Sequence, residues 1–177
     1  NNEKVKAILF SNGGDFGLET TVLGSMMAVK KFPNLEITIF GDEEKIKELL
    51  TDSTRITVVH TKDTISMGEK DPVRAIRHQK DASLCLAMKA CKNGEADACV
   101  TSGPTQCVVV GAHLLVRRLP QMERVALCPF VPNMDGHPRL LLDVGANVEL
   151  RKEHLGSLAI FASVVSKEVL GVKEPKV

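Results

Sequence analysis

The chain has 177 residues, which suits one domain with a substantial apolar core. Hydrophobic residues make up 44% and charged residues 25%, and the net charge of +1 gives no overall field that would attract nucleic acid. Trp and Tyr are absent, so the side chains that most often stack on bases are missing. We therefore expect residues 1–177 to form a single domain with no nucleic-acid partner.

The first segments of the chain predict a strand, a glycine-rich turn and a helix. Val5–Phe10 is an apolar strand, and apolar residues at helical spacing resume at Val22. Between them lies the run Asn12–Gly17, whose glycines allow backbone N–H groups to approach an anion at the start of a helix. A phosphate site and a tight turn without a ligand are equally compatible with this run. It has neither the GxGxxG spacing of dinucleotide sites nor the ending of a P-loop.

Strands and helices alternate along the rest of the chain. Further strands are predicted over 36–41, 56–60, 98–101, 125–128 and 140–144. Helices are predicted over 42–50, over 72–91 as one helix or a pair, from 105 to 118, and over 152–170. This rhythm predicts an α/β fold with a mainly parallel sheet and helices on both faces. Because ligands bind at the carboxyl ends of such strands, we expect the polar loops 11–15, 101–105 and 143–147 to converge.

The five cysteines are odd in number, form no CxxC pair and have no histidine at metal-ligand spacing. We therefore predict reduced thiols, a cytoplasmic location and no metal site. The sequence shows no signal-peptide pattern and no apolar run long enough to span a bilayer. Cys107, at the mouth of a loop, is either a thiol nucleophile or, more commonly for such a residue, a packing side chain. The cysteines are Cys85, Cys91, Cys99, Cys107 and Cys128.

Several short motifs occur in a fixed order along the chain. They are Gly13-Gly14-Asp15, Gly41-Asp42, Pro72–Arg77, Arg118-Leu119-Pro120, Leu140–Val148 and Glu153-His154-Leu155. Together these motifs resemble one enzyme family, the phosphate acyltransferases of bacterial phospholipid synthesis. The resemblance covers essentially all of the chain, and its most specific part is the run 140–148 with the Glu-His-Leu that follows.

The resemblance implies a three-layer α/β/α sandwich of the phosphate acetyltransferase and isopropylmalate dehydrogenase type, which dimerises. It implies transfer of a fatty acyl group from acyl carrier protein to inorganic phosphate, at the membrane surface and without a cofactor. Members of the family continue past the position of Val177 into a second half of similar size. The chain therefore resembles the first half of such an enzyme.

The reaction needs groups that hold phosphate, stabilise an oxyanion and dock the carrier. Candidate phosphate ligands are Gly13, Gly14, Ser102, Gly103 and Thr105, and candidate catalytic residues are Asp15, Asp143, Asn147 and His154. Loop capping is the alternative role for Asp143 and Asn147, and capping or packing is the alternative for His154. Arg74, Arg77 and Lys80, at spacings of three, are candidates for steering the acidic carrier or neutralising phosphate, or else form a solvated helix face.

Three residues depart from the family in the loops that carry its chemistry. Phe10 replaces an aspartate, Pro104 an asparagine and Gln106 a glycine. These departures support an alternative function, a non-catalytic module of the same fold that binds phosphate or carrier. A nucleotide-binding α/β domain is a third hypothesis, and the missing GxGxxG counts against it.

Overall fold

The computed structural model describes residues 3–10 and 17–177 of the chain, with Phe10 described by its backbone alone. The chain divides into two compact units, residues 1–116 and residues 117–177, and each is described by itself. The expectation of a single domain over residues 1–177 stays a prediction.

The first unit is built on a four-stranded parallel sheet in the order β3-β2-β1-β4. Its register places Ile8 of β1 beside Thr38 of β2 and Cys99 of β4. Helices connect the strands, as a parallel sheet requires, so the predicted α/β fold is confirmed. The strands are β1 (Val5–Phe10), β2 (Leu35–Gly41), β3 (Ile56–His60) and β4 (Ala98–Val100).

Local sequence signals set where the helices of this unit begin. The Asp42 carboxylate accepts from the Lys45 N–H, and the Asp71 carboxylate accepts from the Arg74 N–H at 2.9 Å, so both aspartates cap helices. Pro72 follows Asp71 in the first turn, where its missing N–H is tolerated. The helices are α1 (Gly17–Lys31), α2 (Glu43–Leu49), α3 (Pro72–His78), α4 (Ser83–Lys92) and α5 (Thr105–Gly111), which continues as a π-helical segment (Ala112–Val116).

Apolar residues cover both faces of the parallel sheet and give the first unit three layers. On one face, Ile37 and Ile39 of β2 pack with Val22 of α1 and Ile46 of α2. The opposite face carries Ile8 and Phe40 with residues of α3, α4 and α5, among them Ile76, Leu84, Met88 and Cys107. Because side chains alternate along a strand, β2 contributes to both cores.

The second unit has little regular structure besides one long helix. Its elements are an antiparallel pair of two-residue strands, β5 (Phe130–Val131) and β6 (Arg139–Leu140), and α6 (Lys152–Glu168). The predicted helix over 152–170 is confirmed to within two residues at its end.

The predicted strand over 125–128 is wrong, and of the strand predicted over 140–144 only Leu140 is a strand residue, in β6. These segments run alongside each other: the Leu141 N–H donates to the Pro129 carbonyl and the Val144 N–H to the Leu127 carbonyl. A side chain interrupts the ladder, because the Leu127 N–H donates to the Asp143 carboxylate. The apolar pattern of these two segments therefore indicated extended chain correctly. Regular strand pairing is absent because the Asp143 carboxylate takes the place of a backbone acceptor.

None of the helices in the described ranges combines the length and the apolar composition that crossing a membrane requires.

Candidate functional site

Asp143 organises a turn in the second unit. One carboxylate oxygen accepts from the Leu127 N–H at 2.9 Å and the Ala146 N–H at 3.1 Å. The other accepts from the backbone N–H and the side-chain amide of Asn147, both at 2.8 Å. The Asn147 amide also donates to the Val125 carbonyl at 2.8 Å. Asp143 and Asn147 thus join two segments about twenty residues apart in the sequence.

The environment of Asp143 favours its charged form. Partial burial acts to raise its pKa, but hydrogen bonds from Asn147, Leu127 and Ala146 outweigh burial and hold the pKa below its ordinary value. A general base needs an oxygen free to accept a proton, and here both oxygens already accept two hydrogen bonds each. This geometry matches the loop-capping role, and a catalytic role for Asp143 and Asn147 stays a prediction.

His154 is buried at the start of α6 with both ring nitrogens engaged. Its Nδ1 accepts from the Arg151 N–H at 3.1 Å, which caps the helix. Its Nε2 lies 3.0 Å from a carboxylate oxygen of Glu123. Since Nδ1 accepts, the proton of the neutral ring sits on Nε2 and donates to Glu123. The structure thus pairs His154 with a carboxylate 31 residues earlier, a partner for which the sequence carries no signal.

The loop after β4 connects the sheet to α5. The Gly103 N–H donates to the Thr101 hydroxyl at 2.8 Å, so this amide is engaged within the loop. Pro104 is the N-cap of α5 and has no side-chain acceptor to offer, and Thr105 is exposed at the first helical position. Phosphate binding by Ser102, Gly103 and Thr105 stays a prediction.

Cys107 is fully buried. Burial raises the pKa of its thiol, and the negative charge of Glu69 raises it further. Of the two roles weighed for this residue, packing fits the structure, because a nucleophile needs an accessible sulfur and a lowered pKa. Burial also raises the pKa of Cys99 to about 11, with Cys91 adding to the shift. The thiols of Cys85, Cys99 and Cys107, whose pKa values are all raised by burial, are therefore protonated at neutral pH.

The three candidate cations do not share one helix face. Arg74 and Arg77 are exposed on α3, but α3 ends at His78 and Lys80 lies in the turn before α4. In the part of the chain that the structure describes, none of the three forms an ion pair. Arg74 lines a surface cavity of about 360 Å³ together with Glu69, Asp71, Ala75, His78 and Gln79.

The predicted site residues divide among three parts of the chain. Gly13, Gly14 and Asp15 lie outside the described residues. Ser102, Gly103 and Thr105 belong to the first unit, and Asp143, Asn147 and His154 belong to the second. The segment before Asp143 is not part of the parallel sheet, so the reason for expecting the 143–147 loop at its carboxyl edge is wrong. Convergence of the three loops stays a prediction.

Comparison with known proteins places these segments in a family. A sequence model of the family described as "Fatty acid synthesis protein" matches residues 8–177. This chain belongs to that family. Among its relatives, a protein named phosphate acyltransferase from Acholeplasma laidlawii (strain PG-8A) is 42% identical over 174 residues. A protein of the same name from Bacillus cereus (strain B4264) is 41% identical over 173 residues.

These relatives of the fatty acid synthesis protein family are much longer than this chain. Each alignment covers 98% of this chain and 52% of the relative. The chain thus spans about half the length of the curated relatives it matches. The predicted family is confirmed over almost every residue.

Proposed function

We propose that this chain supplies part of an acyltransferase that moves a fatty acyl group from acyl carrier protein to inorganic phosphate. A phosphate oxygen attacks the thioester carbonyl and forms the new C–O bond. The C–S bond then breaks, and the carrier thiol leaves with the proton that the hydrogen phosphate has lost. The product, an acyl phosphate, is an activated acyl donor for phospholipid synthesis.

The observation that carries this proposal is the extent of the family match. Identity of 42% extends over 98% of the chain, and the matched relatives bear the name phosphate acyltransferase. Because the chain spans about half of those relatives, we propose that activity needs a polypeptide corresponding to the other half. A dimer and peripheral action at the membrane surface, as the resemblance implies, belong to the same proposal.

Asp143 has a positioning role in this proposal. Its four hydrogen bonds hold the 143–147 turn in one conformation, and a fixed turn keeps Asn147 in place without rearrangement during the reaction. His154, paired with Glu123, fixes the start of α6 just after this turn.

Arg74 and Arg77 have an electrostatic role in this proposal. Both are exposed, and neither is neutralised by an ion pair in the described ranges. Exposed and unpaired guanidinium groups can steer an acidic carrier protein, an effect that weakens as ionic strength rises.

A second candidate function is a non-catalytic module that binds phosphate or carrier. The observation that favours it is Pro104, which caps α5 without a side-chain acceptor where the resembled family has asparagine. Phe10, which stands in place of the family's aspartate, also favours the non-catalytic function.

A fusion protein tests the choice between these functions. The chain is joined to the remaining part of the Acholeplasma laidlawii relative and incubated with palmitoyl carrier protein and phosphate. We expect phosphate-dependent acyl phosphate from the fusion and none from the chain alone. If the fusion folds but is active only after Phe10→Asp and Pro104→Asn, the second function is correct. Absence of product in both forms would reject the acyltransferase proposal.

A further inference from the structure

The long helix of the second unit, α6, has apolar residues around most of its circumference. Leu158 and Ile160 lie about 160° apart around the helix axis, and further apolar residues occupy the arcs on both sides between them. No charged residue occurs from Leu155 to Ser166. A helix with apolar residues on nearly every side is typical of a protein interior. The apolar residues of α6 are Leu155, Leu158, Ala159, Ile160, Phe161, Ala162, Val164 and Val165.

The chain covers only one side of this helix. Within α6, which lies entirely in the described ranges, Leu158 is the one apolar residue that is buried. Ile160 is 69% exposed, and Gly156 and Val164, four residues before and after it, are also exposed. Residues at this spacing share a helix face, and we call Gly156, Ile160 and Val164 the outer face of α6.

The exposed faces of α1 and α2 have a different composition. On α2 the exposed residues are Glu44, Lys45, Lys47 and Glu48. On α1, the exposed Met27 has Lys30 and Lys31 three and four residues later, on the same face. The neighbours of Ile160 at these spacings are all uncharged, and they are Gly156, Ser157, Ser163 and Val164. The outer face of α6 therefore resembles an interface more than a solvated surface.

The second unit also lacks the buried side chains that would stabilise it by itself. In residues 117–177, only His154 and Leu158 are buried. A unit of about 60 residues is marginally stable even when its core is complete. Exposed apolar side chains occur outside α6 as well, at Phe130, Leu141 and Val148. This unit therefore needs apolar surface from another polypeptide.

We infer that the outer face of α6 binds the polypeptide that corresponds to the other half of the longer relatives. The alignments cover 98% of this chain and 52% of each relative, so a segment of similar size remains to supply the missing surface. Ile160 and Val164 pack against apolar side chains of that segment, and Gly156, which has no side chain, lets its backbone approach closely. The inference rests on the proposed function, in which activity needs the same polypeptide.

Two other occupants fit the outer face less well. Helices that lie on a lipid surface carry a basic face beside the apolar one, and residues 155–166 of α6 contain no basic residue. A second copy of this chain, paired through α6, brings another second unit with as few buried side chains, so it does not supply a core.

A charge placed on the outer face tests the inference. Ile160→Glu and the conservative Ile160→Met are made in the chain alone and in its fusion to the remaining part of the Acholeplasma laidlawii relative. Met27→Glu, at a residue of α1 that is 72% exposed, is the matched control. Glutamate is a good helix former, so lost helix propensity does not account for an effect of Ile160→Glu.

We expect Ile160→Glu to lower the thermal unfolding midpoint of the fusion by at least about 5 °C, because the charge becomes buried against the second half. The same substitution should shift the midpoint of the chain alone by less than about 2 °C. Ile160→Met and Met27→Glu should have similarly small effects in both proteins. Without any substitution, the amides of residues 158–164 should exchange hydrogen at least about tenfold more slowly in the fusion than in the chain alone.

Several results would overturn the inference. They are equal midpoint shifts for Ile160→Glu in the two proteins, equal exchange of the α6 amides in both, and a fusion that does not fold. Light scattering detects a second copy as the occupant: self-association of the chain alone that Ile160→Glu abolishes would also overturn it. No substrate is present, so a folded fusion without acyl transfer rejects the proposed function and leaves this inference intact.

Discussion

Each of the two units of this chain is stabilised by a different kind of interaction. In residues 1–116, a parallel sheet buries isoleucines and valines on both faces beneath helices. In residues 117–177, His154 and Leu158 are the only buried side chains, and the strands are two residues long. Order in the second unit centres on the Asp143 carboxylate and its four hydrogen bonds.

This difference shows where each unit is sensitive to mutation. Apolar burial is distributed over many side chains, so the first unit responds to lost volume at any of its central residues. In the second unit, the Asp143 carboxylate accepts hydrogen bonds from several amides, so much of the stability of the turn depends on this one residue. Because the carboxylate titrates, its contribution to stability depends on pH. The predictions below test this contrast.

The largest effect is expected from a cavity in the first unit. Ile39 is fully buried in the center of β2, and Ile39→Ala removes packing on the α1 and α2 face. We expect the free energy of unfolding to fall by about 3–4 kcal/mol in urea denaturation. Leu23→Ala, at a side chain that is 45% exposed on α1, is the control and should change it by less than about 1 kcal/mol. Equal effects would contradict the assignment of the core.

Loss of the Asp143 carboxylate should be the most damaging single change in the turn of the second unit. Asp143→Ala removes the acceptor of four hydrogen bonds, and we expect local stability to fall by about 2–3 kcal/mol. Hydrogen exchange at the amides of Leu127, Ala146 and Asn147 measures this fall. Asp135→Ala, at an exposed aspartate of the same unit, should leave those amides protected. Protection unchanged in Asp143→Ala would show that the carboxylate does not hold the turn.

Two helical glycines of the first unit, Gly111 and Gly24, differ in how closely other side chains approach them. A Cβ at Gly111 would lie 2.6 Å from the Met88 sulfur and 3.2 Å from a Leu84 methyl, and both partners are buried. We expect Gly111→Ala to destabilise the protein by about 1–2 kcal/mol in thermal unfolding. Gly24→Ala on α1 meets no atom within 4 Å and should raise stability slightly, because alanine favours helix. The same sign for both substitutions would contradict the close contact of α4 with α5.

The smallest effect is the pH dependence that Asp143 contributes. Its pKa in the folded chain lies below the ordinary value, so its contribution is complete above the unfolded pKa of about 4. The contribution declines as pH falls below that value and through the folded pKa. We therefore expect the stability difference between wild type and Asp143→Asn to be constant from pH 7 to 5 and to shrink toward pH 3. A difference that grows on acidification would contradict the lowered pKa.

The sequence predicted the regular parts of the molecule better than the irregular parts. Val5–Phe10 and Ile56–His60 were predicted at their observed bounds, because continuous apolar runs between turns are the signal of buried parallel strands. The runs 125–128 and 140–144 carried the same signal. Nothing in their composition showed that the Asp143 side chain would replace a backbone partner.

The candidate site was less accessible to sequence reasoning because it depends on distant pairs. The partnership of His154 with Glu123 is visible only in three dimensions. The end of α3 at His78, which separates Lys80 from Arg74 and Arg77, could not be predicted from their spacing of three.

The most direct test of the proposed acyl transfer is the stoichiometry of the fusion protein's reaction. Released carrier thiol is titrated while acyl phosphate is trapped as its hydroxamate and free fatty acid is quantified. The account predicts one acyl phosphate for each thiol, with no thioester loss when phosphate is omitted. Thiol release matched by free fatty acid, or proceeding without phosphate, would show hydrolysis instead and contradict transfer to phosphate.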